Sequence, residues 1–196
     1  RIRAKKKEGA ARQALWRVFY FMQKLILFRH GLTEDNLKKR YSGFRDTALH
    51  KKGRAQLKEI KNKLKKIPID IVYCSDLQRS YQTAKIVFGA KNCLIVKRKN
   101  LREIDFGLWD GLTYKSVSKQ YSALYRSWIK SPFGIDIPQG EKMSGFTCRI
   151  RKELKNIISE NRNKTVVLVS HLGAMRVILN TILKVKDGDF WKLEVE

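Results

Sequence analysis

Short apolar runs alternate with amphipathic stretches along most of the chain. Leu25 to Phe28 is a compact apolar run that leads straight into Arg29, His30 and Gly31. Residues 53–66 place Leu57, Ile60 and Leu64 at helical spacing, with lysines on the opposite face, and Pro68 ends the pattern. Ile69 to Cys74 is a second apolar strand. It is followed by Ser75 and Asp76 as a helix cap and by a helix over 77–88. Leu94 to Val96 forms a third strand. A long helix is expected over 113–130, stopped by Ser131 and Pro132, and residues 132–141 form a loop with two prolines and two glycines. A helix over 144–160, a buried strand from Thr165 to Val169 and a helix over 174–184 complete the pattern.

Strands that are apolar along their whole length belong to a sheet covered on both faces, and strict strand–helix alternation belongs to parallel connections. The expected fold is therefore α/β, a three-layer αβα sandwich with a mostly parallel central sheet. At 196 residues and without an internal linker, residues 22–196 read as one domain. Residues 1–21 are different. They hold seven basic residues against Glu8 and end in a short apolar tail interrupted by Arg17, which reads as a basic extension outside the fold. At the other end, residues 190–196 read as a strand cut off midway, so a C-terminal truncation is expected.

Composition narrows the function classes. With 43% hydrophobic and 10% aromatic residues the chain can build a core, and it has no apolar run long enough to span a bilayer. Three cysteines far apart (Cys74, Cys93, Cys148) make neither a disulfide framework nor a zinc spacing, which points to a reduced, cytoplasmic compartment. The net charge of +25 raises the question of nucleic acid. The charge is spread over many helix faces, however, and no zinc-finger or RNP-like pattern accompanies it. A basic nucleic-acid-binding protein stays as the alternative of another class. The field itself favours small anionic substrates.

The candidate chemistry sits at strand ends. Of only three histidines, His30 and His171 each directly follow an apolar strand and precede a glycine within two residues. Ligands of open α/β sheets bind outside the carboxyl ends of the strands, so the two imidazoles meet if their strands are neighbours. Arg29 adjoins His30, and Arg79 lies in the first turn after the second strand. Two guanidiniums with two imidazoles make a poor metal set and a good cradle for a phosphoryl dianion. A general acid is sought in 101–111, where Glu103 follows the third strand closely enough to reach the same rim. Burial beside Ile104 and Phe106 is expected to keep its proton on. Asp105 and Asp110 read as structural, and His50 as a weak helix cap.

These residues resemble the histidine phosphatase superfamily, the group related to cofactor-dependent phosphoglycerate mutase. LILFRHGLTEDN, YSGFRDTALHKKGRAQ, SDLQRSYQTA, LREIDFGLWDG and VSHLGAMR follow the family's blocks in order. The resemblance implies that His30 is the nucleophile, that Arg29, Arg79 and His171 hold the phosphoryl oxygens, and that Glu103 is the acid and then the base. It places Asn36, Ser42 and Gly43 around phosphate and substrate, and it requires neither metal nor cofactor. Two departures stand out. Leu32 replaces a usual Glu, and Leu172 replaces a usual Gly or Ala. The run GLWDGLTYKSV, together with Trp128, IPQGE and Phe146, is most similar to the α-ribazole phosphatase and broad-specificity branch. The implied activity is hydrolysis of a small phosphorylated metabolite through phosphohistidine, with α-ribazole 5′-phosphate of cobalamin synthesis as the expected substrate. Trp109 and Trp128 would wall the leaving-group side. Phosphoglycerate mutase is the alternative within the family, though the short interval from Glu103 to His171 lacks room for a basic insertion. Oligomeric state is left open.

Overall fold

The computed structural model describes residues 24–184. The expectations for the basic extension over 1–21 and for the cut-off strand over 190–196 lie outside those residues. Four strands form one sheet among the described residues: β1 (Lys24–Arg29), β2 (Ile71–Cys74), β3 (Leu94–Lys97) and β4 (Thr165–Ser170). They run in the order β1-β4-β2-β3, and every pairing is parallel. Seven α-helices accompany them among the described residues. These are α1 (Glu34–Leu37), α2 (Lys51–Leu64), α3 (Gln78–Phe88), α4 (Tyr114–Gln120), α5 (Ser122–Lys130), α6 (Met143–Glu160) and α7 (Leu172–Leu183).

The three layers follow from the pleat. In β4, Val166 and Leu168 face one core with Phe146, Ile150 and Ile157 of α6 and Val177 and Ile178 of α7. Val167 and Val169 face the other core, with Leu57 of α2 and Ala84, Val87 and Phe88 of α3. Successive side chains of a strand point to opposite faces, so an all-apolar strand must be covered twice. All six residues of β4 are buried. Fully burying a Val or Leu side chain contributes about 1.5–3 kcal/mol, which places the strongest hydrophobic drive at the centre of the sheet.

Three local expectations are corrected. The helix over 113–130 is two helices, because Tyr121 adopts φ −122° and ψ 42° and packs its ring 6.1 Å from that of Trp109. The short helix α1 was not foreseen. Its four residues are too few for a periodic pattern, and it rests on a capping box between Thr33 and Asn36. Finally, Ser75 and Asp76 do not cap α3. Leu77 is the N-cap residue, and the helix N-terminus is closed by Asp46, whose Oδ1 accepts the Gln78 N–H at 2.7 Å. His50 does cap α2, accepting from the Lys52 N–H at 3.2 Å.

Candidate active site

The sheet order decides the site. β1 lies directly beside β4, with Arg29 level with Ser170, so the residues that follow each strand emerge together. The His30 N–H continues the ladder to the Ser170 carbonyl at 3.0 Å. The two imidazole centroids are 5.1 Å apart. The convergence expected from the sequence is therefore present, and its cause is the adjacency of two strands far apart in the chain.

The two rings are held in complementary states. His30 Nδ1 lies 2.8 Å from the Gly31 carbonyl, which assigns the proton to Nδ1 and leaves the lone pair on Nε2. His171 Nδ1 accepts from Arg79 Nε at 3.3 Å, which assigns its proton to Nε2. That Nε2–H is buried and has no partner. Burial, then the Arg79 and Arg29 charges, push the His30 pKa down to about 3, although the Gly31 hydrogen bond works the other way. Burial and the Arg79 charge also hold His171 well below its usual value. Both rings are neutral at pH 7. One presents a nucleophilic nitrogen and the other an unsatisfied donor.

Arg79 is fully buried, and its guanidinium fans out over the loop after Tyr41. Nη1 donates to the Arg45 carbonyl at 2.7 Å, and Nη2 donates to Ser42 and Gly43 at 3.1 and 2.8 Å. With Nε on His171, one N–H of five remains for a phosphoryl oxygen. Arg79 thus acts first as a comb that ties His171 to the 42–45 loop. It does not pair with Asp76, whose carboxylate is held by Arg102 at 2.7 and 2.6 Å. Arg29, by contrast, lines the cavity beside His30 and makes no side-chain hydrogen bond or ion pair among the described residues.

Glu103 reaches the rim as expected and is buried, at 7% exposure. Its surroundings are more polar than the sequence suggested. Oε1 accepts from the Ile104 N–H at 3.0 Å and Oε2 from the Gly173 N–H at 2.8 Å. Gly173 lies in the first turn of α7, where free N–H groups and the helix dipole favour an acidic partner. A Cβ at position 173 would run into the Glu103 carboxylate, which explains the glycine two residues after His171.

A cavity of about 360 Å³ opens beside Arg29, His30 and Glu103; His171 and Arg79 are buried and do not line it. Asn36 lines it, and its Oδ1 is occupied by the Thr33 N–H at 3.1 Å, so its amide NH2 is the end left for a ligand. Ser42 lines it with a buried hydroxyl that has no partner. Gly43 does not line it. Its N–H goes to Asp110 Oδ1 at 2.9 Å and its carbonyl to Arg79, and a Cβ there would strike the Ile104 carbonyl. Gly43 is a packing point between two loops and presents nothing to a substrate. Asp110 also holds the Arg45 N–H at 2.9 Å, which makes it an anchor for that loop and more than a turn residue.

The far wall is aromatic. Tyr41, Phe106, Tyr114, Tyr125, Trp128 and Phe146 surround the mouth, joined by Ile129 and Met143. Tyr41 packs 4.7 Å from Phe106 and 4.8 Å from Tyr114. Trp109 is not part of the wall. It is wholly buried and stacks behind it, 6.0 Å from Trp128. Arg40 and Arg176 also line the cavity and were not foreseen, because nothing in their local patterns separates them from other surface cations. Leu32 lines a separate groove on the other side of His30, while Leu172 fits inside the main cavity. Among the described residues no group of three or more His, Cys, Asp or Glu is placed to hold a metal ion, and no helix is long and apolar enough to cross a membrane.

A family model described as histidine phosphatase superfamily (branch 1) matches residues 25–196. The chain belongs to that superfamily. Among curated proteins, this histidine phosphatase chain is 34% identical over 170 residues to phosphoserine phosphatase 1 of Hydrogenobacter thermophilus, which covers 87% of this chain and 81% of that one. It is 28% identical over 173 residues to the adenosylcobalamin/α-ribazole phosphatase of Salmonella typhimurium, covering 88% and 86%. Among solved structures, the α-ribazole phosphatase of Shigella flexneri superposes with a TM-score of 0.81 at 24% identity, covering 88% of this chain and 85% of that one. The αβα fold expected for this superfamily is the fold observed.

Proposed function

We propose that this histidine phosphatase is a phosphomonoesterase that works through a phosphohistidine at His30. The observation that carries the reading is the pair of opposed tautomers. His30 Nε2 is free to attack because Nδ1 is committed to Gly31, and the unpartnered His171 Nε2–H stands beside it. Phosphoryl transfer asks mainly for in-line positioning and charge stabilisation. In the first step His30 Nε2 bonds to phosphorus, the ester P–O bond breaks, and Glu103 gives its proton to the departing alkoxide. Arg29, the His171 Nε2–H, the last Arg79 N–H and the Ser42 hydroxyl hold the equatorial oxygens, and Asn36 supplies a further donor. In the second step the Glu103 carboxylate takes a proton from water. The water oxygen bonds to phosphorus, the P–N bond breaks, and inorganic phosphate leaves with Glu103 reprotonated.

The substrate is read from the wall. Aromatic rings and Ile129 favour an alcohol with an apolar or ring-bearing body, which suits α-ribazole 5′-phosphate better than phosphoserine. The mutase alternative shares the first step and differs only in passing the phosphoryl group to a second hydroxyl. Brief mixing with a radiolabelled phosphomonoester followed by denaturation should leave acid-labile label on the wild type and none on His30→Ala. Equal label on both proteins overturns the reading. A panel of α-ribazole 5′-phosphate, phosphoserine and 3-phosphoglycerate ranks the substrates, and interconversion of 2- and 3-phosphoglycerate without hydrolysis would select the mutase.

A further inference from the structure

Glu103 sits on a stretch without regular secondary structure, between the turn at Lys99–Leu101 and Gly107. A general acid needs a fixed position, and a displacement of about 1 Å typically costs on the order of 10²-fold in rate. The Ser170 hydroxyl at the end of β4 holds the Leu101 carbonyl at 2.7 Å, and beyond that point the stretch is gripped mainly by one side chain of α6. Arg149 of α6 donates from Nη1 to the carbonyls of Asn100 and Arg102 at 2.9 and 2.8 Å, and from Nη2 to the carbonyl of Glu103 itself at 2.6 Å. The other edge of the guanidinium meets Glu141, with Nε–Oε1 at 2.6 Å and Nη2–Oε2 at 2.8 Å. Glu141 in turn grips the far side of the acid, its N–H donating to the Asp105 carbonyl at 2.9 Å. The plane of Arg149 lies against Phe146, 4.9 Å from the ring centroid, and Phe146 lines the cavity. Neither Arg149 nor Glu141 lines it.

We propose that Arg149, held by Glu141, is the positioning residue for the general acid, clamping the backbone of Glu103 while Gly173 clamps its carboxylate. The proposal rests on the reading of Glu103 as that acid. Its logic is geometric. Three carbonyls and a carboxylate converge on one flat cation, and only a guanidinium offers five donors in a fixed plane. A lysine would supply the charge at one point and leave part of this set unmet. The clamp touches no substrate, so loosening it should disturb proton delivery and leave phosphoryl binding alone.

The test uses a series of aryl phosphates whose leaving phenols range from acidic, as in 4-nitrophenyl phosphate, to weakly acidic, together with one alkyl phosphate. The readout is kcat/KM, which reports steps up to phosphoryl transfer to His30. An activated phenolate departs without a proton, so a defect in the acid grows as the leaving group becomes poorer. Glu103→Gln sets the steepest dependence. Arg149→Lys should show the same dependence in weaker form. It should lose on the order of 10- to 100-fold on the alkyl phosphate, less than the roughly 10²- to 10⁴-fold that a general acid contributes in full, and only a few-fold on 4-nitrophenyl phosphate. Inhibition by inorganic phosphate should be unchanged.

A uniform loss across the series with the wild-type slope would make Arg149 merely structural and overturn the proposal, leaving the acid reading intact. A wild-type slope for Glu103→Gln would instead remove the acid reading and the clamp with it. If Arg149→Lys does not fold, as judged by circular dichroism, Glu141→Gln keeps the arginine and weakens its anchor. A slope steeper than wild type in that variant supports the clamp, and an unchanged slope overturns it.

Discussion

Gly173→Ala adds one methyl group and separates stability from catalysis. In a helix, alanine is favoured over glycine by about 1 kcal/mol. Here the added Cβ meets the Glu103 carboxylate, the mobile end of a side chain, so the backbone of α7 need not move. The carboxyl group must turn away and give up the Gly173 N–H, and a donor left without its partner costs about 1–3 kcal/mol. Against the helix gain, the expected balance is a net destabilisation of up to about 2 kcal/mol, which a folded protein tolerates. Activity should suffer far more, because Glu103, the proposed acid, loses its position. We expect kcat/KM on an alkyl phosphate to fall about 100-fold, or about 2.7 kcal/mol of barrier. On 4-nitrophenyl phosphate the loss should be only a few-fold. Urea unfolding and steady-state kinetics on the two esters make the comparison. A variant within threefold of wild type on the alkyl ester would refute the claim that Gly173 is glycine for the sake of Glu103.

Gly145 gives the opposite sign at a similar place in α6. It is exposed, and a Cβ there would make only an ordinary van der Waals contact with Glu141 Cγ at 4.0 Å, so Gly145→Ala should raise stability by about 0.5–1 kcal/mol in urea titration and leave kcat/KM unchanged. Stability should also depend on His30, half-buried at the cavity, and on the buried His171. Both have folded pKa values below the unfolded value near 6.5, so the unfolded chain binds more protons as pH falls. Their contribution is complete above about pH 6.5 and is lost on acidification through that value, for His30 down to about 3. Between pH 7.5 and pH 5, unfolding free energy should drop by about 2 kcal/mol for His30, with a further loss in the same direction from His171, and His30→Asn should remove the His30 share. A flat profile over that interval would contradict the assigned neutral states.

Much of the candidate site is legible in the sequence alone. His30 and His171 announce themselves as polar residues at the ends of apolar strands, and Glu103 as a carboxylate one turn past another. Asn36 and Ser42 line the cavity as the family resemblance implied, whereas Gly43 lies beneath it. The less legible residues share a physical property: their partners are remote in sequence. Arg79 reads as a surface or phosphate cation until its Nε is found on a ring 92 positions away. Arg149 is one of many basic residues on an amphipathic helix, and only the fold shows three carbonyls of another segment in front of it.

The chain's own pattern determined the alternation of strands and helices, the two covered faces of the sheet and the residue types at the strand ends. Those features depend on local periodicity, which folding preserves. The tertiary structure decided that β1 lies against β4, which proton each imidazole carries, which side chains wall the cavity and which groups grip the backbone and carboxyl of Glu103. Each of these depends on hydrogen bonds and packing between distant segments, which no local pattern can encode.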